Sequence, residues 1–246
     1  MLLILPPSET KRDGGDVDSR LELGRLGFAS LTAAREVATS ALVALSASVE
    51  QSTRALKLGT TQGFEVERNR ALFTSPVMPA IERYTGVIYD ALDAATLTAA
   101  ARSFAARHLA IGSALFGLLR ADDPIPAYRL SHDSRLQAIS LGRLWRPGVQ
   151  TELQQRDGLI LDLRSEAYAS LGRAPKGSLY IRVLSQGPDG RRIALSHFNK
   201  HAKGEFTRAV LESGIPHSSA AELVAWAHEK QINLDYGAAG ELDLVV

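Results

Sequence analysis

Lys200 and Lys203 stand three residues apart just after Asn199, a residue type that favours helix N-caps. That spacing predicts a helix from Asn199 to about Ser213, with both ammonium groups on one face near its N-terminus. The helix dipole already draws anions to that end, so two cations there ask for a negative ligand. A solvated helix face would carry the same pair. His197 and His201 have the i, i+4 spacing of metal-binding helices. However, His197 falls at the end of an expected strand and no HExxH glutamate accompanies the pair, so no metal site is expected.

A second basic group is denser. Arg120, Arg129, Arg135, Arg143 and Arg146 fall within 27 residues, with Trp145 among them. Arginine interleaved with an aromatic suits phosphate contact and base stacking, and it suits an ordinary helix surface equally well. The acids and hydroxyls fall in two further groups. Ser8, Glu9 and Thr10 follow one apolar run, and Asp162, Ser165, Glu166 and Tyr168 follow another. Polar groups just past the C-terminal ends of buried strands are where open α/β folds build ligand sites. Glu9, Asp162 and Glu166 are therefore the candidate acid or base groups, beside a cleft lined by Ser8, Thr10, Tyr89, Ser113, Ser165, Tyr168 and His197. A carboxylate near a phosphate cluster would stabilise a developing oxocarbenium ion, which is the requirement of N-glycosidic cleavage.

The elements that must position these groups are partly visible. Met1–Leu5 and Gly158–Leu163 are continuous apolar runs, except for Asp162, and read as adjacent buried strands. Leu31–Leu45 has helical apolar spacing, and Ser48 with Gln51 opens a second helix through Lys57. With Leu58–Gly59 this looks like a helix-hairpin-helix. Asp13–Ser19 reads as a mobile Gly/Asp loop. Ser75–Pro76 reads as the start of a short helix to Arg83, and Thr96 as the cap of Leu97–His108. The Leu109–Leu130 stretch turns at Gly112–Ser113 and carries Arg120 and Arg129 across a proline-stiffened loop. Pro147 is expected to start a helix to about Gln155. Ser178–Gln186 and Arg191–His197 flank a hairpin at Gly187–Gly190, and Ser219 with Glu222 opens the last helix before a closing strand pair.

Composition bounds the class. The chain has 246 residues, 45% hydrophobic and 22% charged, with a net charge of +1. That is ordinary for a globular protein, so any basic surface is local. No cysteine is present, which excludes disulfides, thiolate zinc sites and thiol-based peroxide chemistry. The apolar start is too short for a signal peptide, and no run of 18 apolar residues suggests a membrane span. The expectation is a cytoplasmic chain without cofactor, folded as one α+β domain over residues 1–246. Its mixed sheet would be surrounded by helices, with the helix-hairpin-helix-like region near the N-terminus.

SALFGLLRADD (Ser113–Asp123) followed by AYRL (Ala127–Leu130) resembles the YaaA peroxide-stress protein family, which reads roughly SGLYGVLRPLD and PYRL there. Further matching pieces follow in the family's order: Pro7 and Thr10, Gly86 with Tyr89, Leu144–Trp145, Leu163-x-Ser165-x-x-Tyr168, and Ser196 with Lys200-x-x-Lys203-Gly204. The family tends to have Ser-Pro-Ala-Lys-Thr where this chain has Pro6-Pro7-Ser8-Glu9-Thr10, so an anion-binding role does not carry over to position 9. The resemblance implies protection against peroxide damage, linked in that family to DNA binding and to limiting free iron. It leaves two readings open. One is a protein that binds DNA through Arg120, Arg129, Arg143, Lys200 and Lys203. The other is an enzyme acting on a nucleotide or nucleobase in the same cleft.

Overall fold

The computed structural model describes residues 1–137, 139–186, 192–194 and 198–246. The chain opens with β1 (Leu2–Leu5), whose Leu-Leu-Ile-Leu sequence is buried on both faces. Three helices follow: α1 (Thr32–Leu45), α2 (Val49–Leu56) and α3 (Phe64–Arg70). Next come β2 (Met78–Pro79), α4 (Ala80–Arg83), α5 (Val87–Leu92) and α6 (Ala99–His108). The middle of the chain supplies β3 (Leu109–Ser113), β4 (Gly117–Arg120), β5 (Pro124–Ile125), α7 (Leu141–Gln154), β6 (Ile160–Asp162) and α8 (Glu166–Ala169). The last part contains β7 (Leu179–Gln186), β8 (Arg192–Ala194), α9 (Phe198–Ser213), α10 (Ala220–Glu229), β9 (Leu234–Tyr236) and β10 (Glu241–Val245).

The architecture is α+β. The main sheet runs β4-β3-β1-β6-β7-β10-β9, with β8 paired to the far end of β7. β3, β1, β6, β7 and β10 are parallel; β4, β8 and β9 run antiparallel to their neighbours. β1 and β6 are adjacent, in the register Leu3↔Leu161 and Ile4↔Asp162. This is the pairing that two fully apolar runs require, since only strands covered on both faces lack polar alternation. α9 packs on α5 at Gly204, where a Cβ would lie 2.3 Å from the Ile88 carbonyl oxygen. Among the described residues no helix is long and apolar enough to cross a membrane.

Several sequence expectations shift. The turn in the central stretch lies at 114–116, between β3 and β4, because Gly112 and Ser113 pair with Leu118 and Gly117. Residues from Ser75 do not start a helix: Val77 bridges Asp16 and Met78 pairs with Ile125, so only Ala80–Arg83 is helical. Thr98, not Thr96, caps α6 by accepting from the Ala101 amide at 3.2 Å. Pro147 sits inside α7, which starts at Leu141 under a Ser140 cap. α9 begins at Phe198, which puts Asn199 in its first turn rather than at the cap. The Asp13–Ser19 loop is tied down, since the buried Arg83 guanidinium donates to the carbonyls of Arg12, Gly14, Pro76 and Ile125. The Gly187–Gly190 turn, Ser196 and His197 lie outside the described residues.

α1 and α2 form where expected, with the Ser48 hydroxyl accepting from the Gln51 amide. Lys57 closes α2 in the left-handed conformation at φ 54°, and Leu58 is buried behind it. The connection Leu58–Gly63 then leads into α3.

Candidate functional site

The loop after β1 forms one wall of a cavity of about 520 Å³. Its opposite walls are the start of α5, the β6–α8 connection and the first turns of α9. Ser8, Glu9, Thr10, Tyr89, Ser165, Tyr168, Lys200 and Lys203 all line it, together with Asn199. The β1, β6 and α9 contributors come from distant parts of the sequence. They meet because parallel strands deliver their C-terminal ends to one edge of the sheet.

Each wall is fixed locally. Tyr89 donates its hydroxyl to the Pro6 carbonyl at 2.8 Å, pinning the β1 loop to α5. Thr85 Oγ1 donates to Thr10 Oγ1 at 3.0 Å, and Ser8 Oγ lies 3.2 Å from the same oxygen. Gly86 has φ +94°, and a Cβ there would press on Ser8 Oγ and Thr10 Oγ1 at 3.3 and 3.4 Å. The glycine therefore meets both a backbone and a space requirement. Ser165 caps α8 by accepting from the Tyr168 amide.

The charges are unequal. Lys200 is exposed, whereas Lys203 is buried and donates its Nζ to the Leu163 carbonyl at 2.9 Å. Burial lowers the Lys203 pKa to about 8, against a partial restoring effect of the Asp162 charge. Glu9 keeps 59% of its side chain exposed on the cavity wall, and its Oε2 accepts from Arg129 Nη2 at 2.6 Å. Arg129 is buried and, among the described residues, its Nε has no hydrogen-bond partner. Its backbone is held by Asn69, which accepts from the Arg129 amide and donates to the Arg129 carbonyl.

Beneath the β1 loop lies a polar chain that sequence reasoning only half anticipated. Ser113 Oγ, Tyr128 OH and Tyr84 OH are linked at 2.8 and 2.7 Å, all buried. Ser113 therefore supports the tyrosines and accepts the amides of Leu115 and Phe116 instead of lining the cavity. Burial pushes the phenol pKa values of Tyr84, Tyr89 and Tyr128 up, so all three remain protonated at neutral pH. Lys11 stands among the polar residues after β1 but carries no expected role, because a lysine in a polar loop reads as solvated. It is buried, with Nζ 4.2 Å from the Tyr128 ring centroid, and it donates to the Ser8 and Glu9 carbonyls at 2.9 and 3.1 Å. Burial lowers its pKa to about 7.

Other candidates lie elsewhere. Asp162 and Glu166 line a neighbouring cavity of about 440 Å³, with Arg173, Ser178, Tyr180 and Glu241. Asp162 is engaged there by Arg164, with Nε–Oδ1 at 2.8 Å and Nη2–Oδ2 at 2.7 Å. Such a bidentate pair occupies the carboxylate that a general base would need. Arg120 pairs with Ala110, near the end of β3 opposite Ser113, so the β3–β4 register carries it away from the cavity. Arg143 is exposed on α7. Trp145 is no stacking platform: it is fully buried and donates Nε1 to the Ala114 carbonyl at 2.8 Å. Among the described residues no group of three or more His, Asp and Glu is placed to hold a metal ion.

Comparison with known proteins decides the relationship. The family described as "Peroxide stress protein YaaA" matches residues 1–230. The chain belongs to the YaaA family. Its similarity to individual members is spread along the sequence. A UPF0246 protein of Corynebacterium glutamicum (strain R) is 47% identical over 216 residues, covering 85% of this chain and 84% of that protein. A UPF0246 protein of Corynebacterium efficiens is 41% identical over 253 aligned positions, covering both chains completely. A Streptomyces coelicolor UPF0246 protein is 43% identical over 233 residues, or 91% of this chain and 88% of that one. In this YaaA-family chain the Lys11 ammonium lies beneath the loop that carries Glu9.

Proposed function

We propose that this protein binds DNA without sequence preference through the cavity between the β1 loop and α9. By that contact it would act, in the cytoplasm, in limiting peroxide- and iron-dependent damage. One observation carries the reading: Lys200 and Lys203, at the start of a long helix, share a single cavity with the hydroxyls of Ser8, Thr10 and Ser165. Ammonium groups, helix amides and hydroxyls are the donor set that phosphate oxygens accept from. Membership in a family described by peroxide stress supports the physiological half of the proposal. The α1–α2–α3 region, with its left-handed turn at Lys57, supplies a second backbone contact as a helix-hairpin-helix-like element. Titration of a labelled duplex at several salt concentrations tests the binding. Restored peroxide resistance in a bacterium lacking its own family member tests the role.

A second reading has its own observation. A cavity of about 520 Å³ has the size of a small-molecule site, and Glu9 presents a carboxylate on its wall. In that reading Glu9, rather than Asp162 or Glu166, stabilises the cationic sugar during N-glycosidic cleavage. Release of a free base from a nucleotide or DNA, lost in Glu9→Gln, would establish it.

A further inference from the structure

Lys203 differs from the other lysines in how its amine is held. Its Nζ has one carbonyl acceptor, Leu163, and no carboxylate within ion-pair distance among the described residues, yet the side chain forms part of the cavity wall. Lys57, by contrast, is ion-paired to Asp133 at 2.6 Å. Lys200 is exposed to water, and Lys11, which does not line the cavity, donates to the carbonyls of Ser8 and Glu9. On its other side Lys203 faces the Tyr180 ring, 5.3 Å from the centroid. An amine buried against an aromatic and a carbonyl, on a cavity wall, can add to a carbonyl carbon from its uncharged fraction.

The geometry points to Lys203 as a nucleophile that captures an aldehyde carried on a phosphorylated sugar, forming an imine at Nζ. This rests on the reading of the cavity as a phosphate site. Lys200 and the α9 N-terminus hold the phosphate at the mouth, and the hydroxyls of Ser8, Thr10 and Ser165 meet the sugar. The burial that brings Lys203 to a pKa of about 8 leaves part of the amine uncharged at neutral pH, as addition requires. In the step, the Nζ lone pair bonds to the carbonyl carbon and the carbonyl oxygen takes up a proton. The resulting carbinolamine loses water as the remaining N–H proton leaves, giving the N=C double bond without any oxidant or reductant. The aldehyde has two possible sources with the same chemistry: an abasic site in DNA, or a free sugar phosphate.

Trapping tests this directly. The full chain is incubated with limiting amounts of a duplex bearing one abasic site, or of 2-deoxyribose 5-phosphate, in the presence of cyanoborohydride, which reduces imines to stable amines. Intact mass and peptide mapping then read the adduct. The expected result is a single adduct on Lys203, absent in Lys203→Arg, which keeps the cation, and slowed in Lys200→Gln. Capture of the duplex alone assigns the aldehyde to DNA, and capture of the sugar phosphate alone assigns it to a metabolite; either supports the inference. No adduct with either probe, or one spread over or mapped to other lysines, overturns it. If the protein binds DNA with the expected salt dependence but forms no adduct, the imine alone is wrong. If it is trapped by the sugar phosphate but does not bind DNA, the DNA reading is wrong.

Discussion

Glu9 and Arg129, 120 positions apart in the sequence, meet at 2.6 Å on the wall of the central cavity. The pair puts a negative charge where an anion site would want none. It also occupies a guanidinium that is otherwise buried, with an Nε that no described residue partners. Replacing Glu9 therefore exposes Arg129 to whatever enters. Glu9→Lys should strengthen DNA binding and steepen its salt dependence by roughly one phosphate contact, about 0.9 in the log–log slope for duplex. Anisotropy titrations between about 50 and 200 mM salt read both quantities. Weaker binding by the variant, or loss of a measurable base release, would make Glu9 a ligand or catalytic group.

Arg83 anchors the segment that leads out of the β1 loop. Its replacement by Met strands four carbonyls that it now serves. A loss of about 2–5 kcal/mol is expected for removing a buried charged donor from such a network. Denaturant midpoints measure the loss. Amide exchange should accelerate over residues 12–16, and unchanged exchange there would show that other contacts hold the loop.

Trp145 separates a packing role from a nucleic-acid role. Trp145→Ala should cost about 3–5 kcal/mol, as for other buried aromatics, and Trp145→Phe about 1 kcal/mol or more through the lost Nε1–Ala114 bond. Neither should alter the salt slope of DNA binding in protein that remains folded. A reduced slope in folded Trp145→Phe would return the α7 arginines and this ring to the binding surface.

Stability should rise with pH between about 7 and 9.5. Lys11 and Lys203 have folded pKa values near 7 and 8 but 10.5 when unfolded, so in that window the unfolded chain holds the extra protons. Each lysine then contributes a slope of up to about 1.4 kcal/mol per pH unit. Above pH 10 the buried tyrosines act in the opposite direction, because their raised pKa values keep protons on the folded state. Lys11→Met should flatten the rise measured by urea unfolding at pH 7, 8 and 9. A wild-type profile that is already flat would show both amines to be better solvated than their burial implies.

The parts of this arrangement legible in the sequence were those with a local cause. β1 and β6 announce themselves as apolar on nearly every residue, and Ser48 and Ser219 cap the helices they were expected to open. Ser8, Thr10 and Ser165 fall in one expected cleft because both runs read as adjacent buried strands, whereas Lys200 and Lys203 reach it on α9, which no local pattern ties to either strand. The failures were non-local. Nothing near Arg120 indicates that β4 would return antiparallel and carry it to the far end of β3. Nothing near Lys11 indicates Tyr128 above which it sits. Trp145 was different, because Leu141, Trp145, Val149 and Leu153 repeat every four residues and form the buried stripe of α7. The surrounding arginines drew the reading to the surface although the stripe was visible.

The salt dependence of DNA binding in a Lys200→Gln, Lys203→Met double variant tests the central claim most directly. Lys203 is buried, so Met is chosen to keep its packing, and circular dichroism must first confirm the fold. If both lysines contact phosphates, the slope of log K against log salt should fall by about 1.8 for duplex DNA or about 1.4 for single strands, with affinity lowered alike for all sequences. An unchanged slope in a folded double variant would contradict the account and move the phosphate contacts away from this cavity.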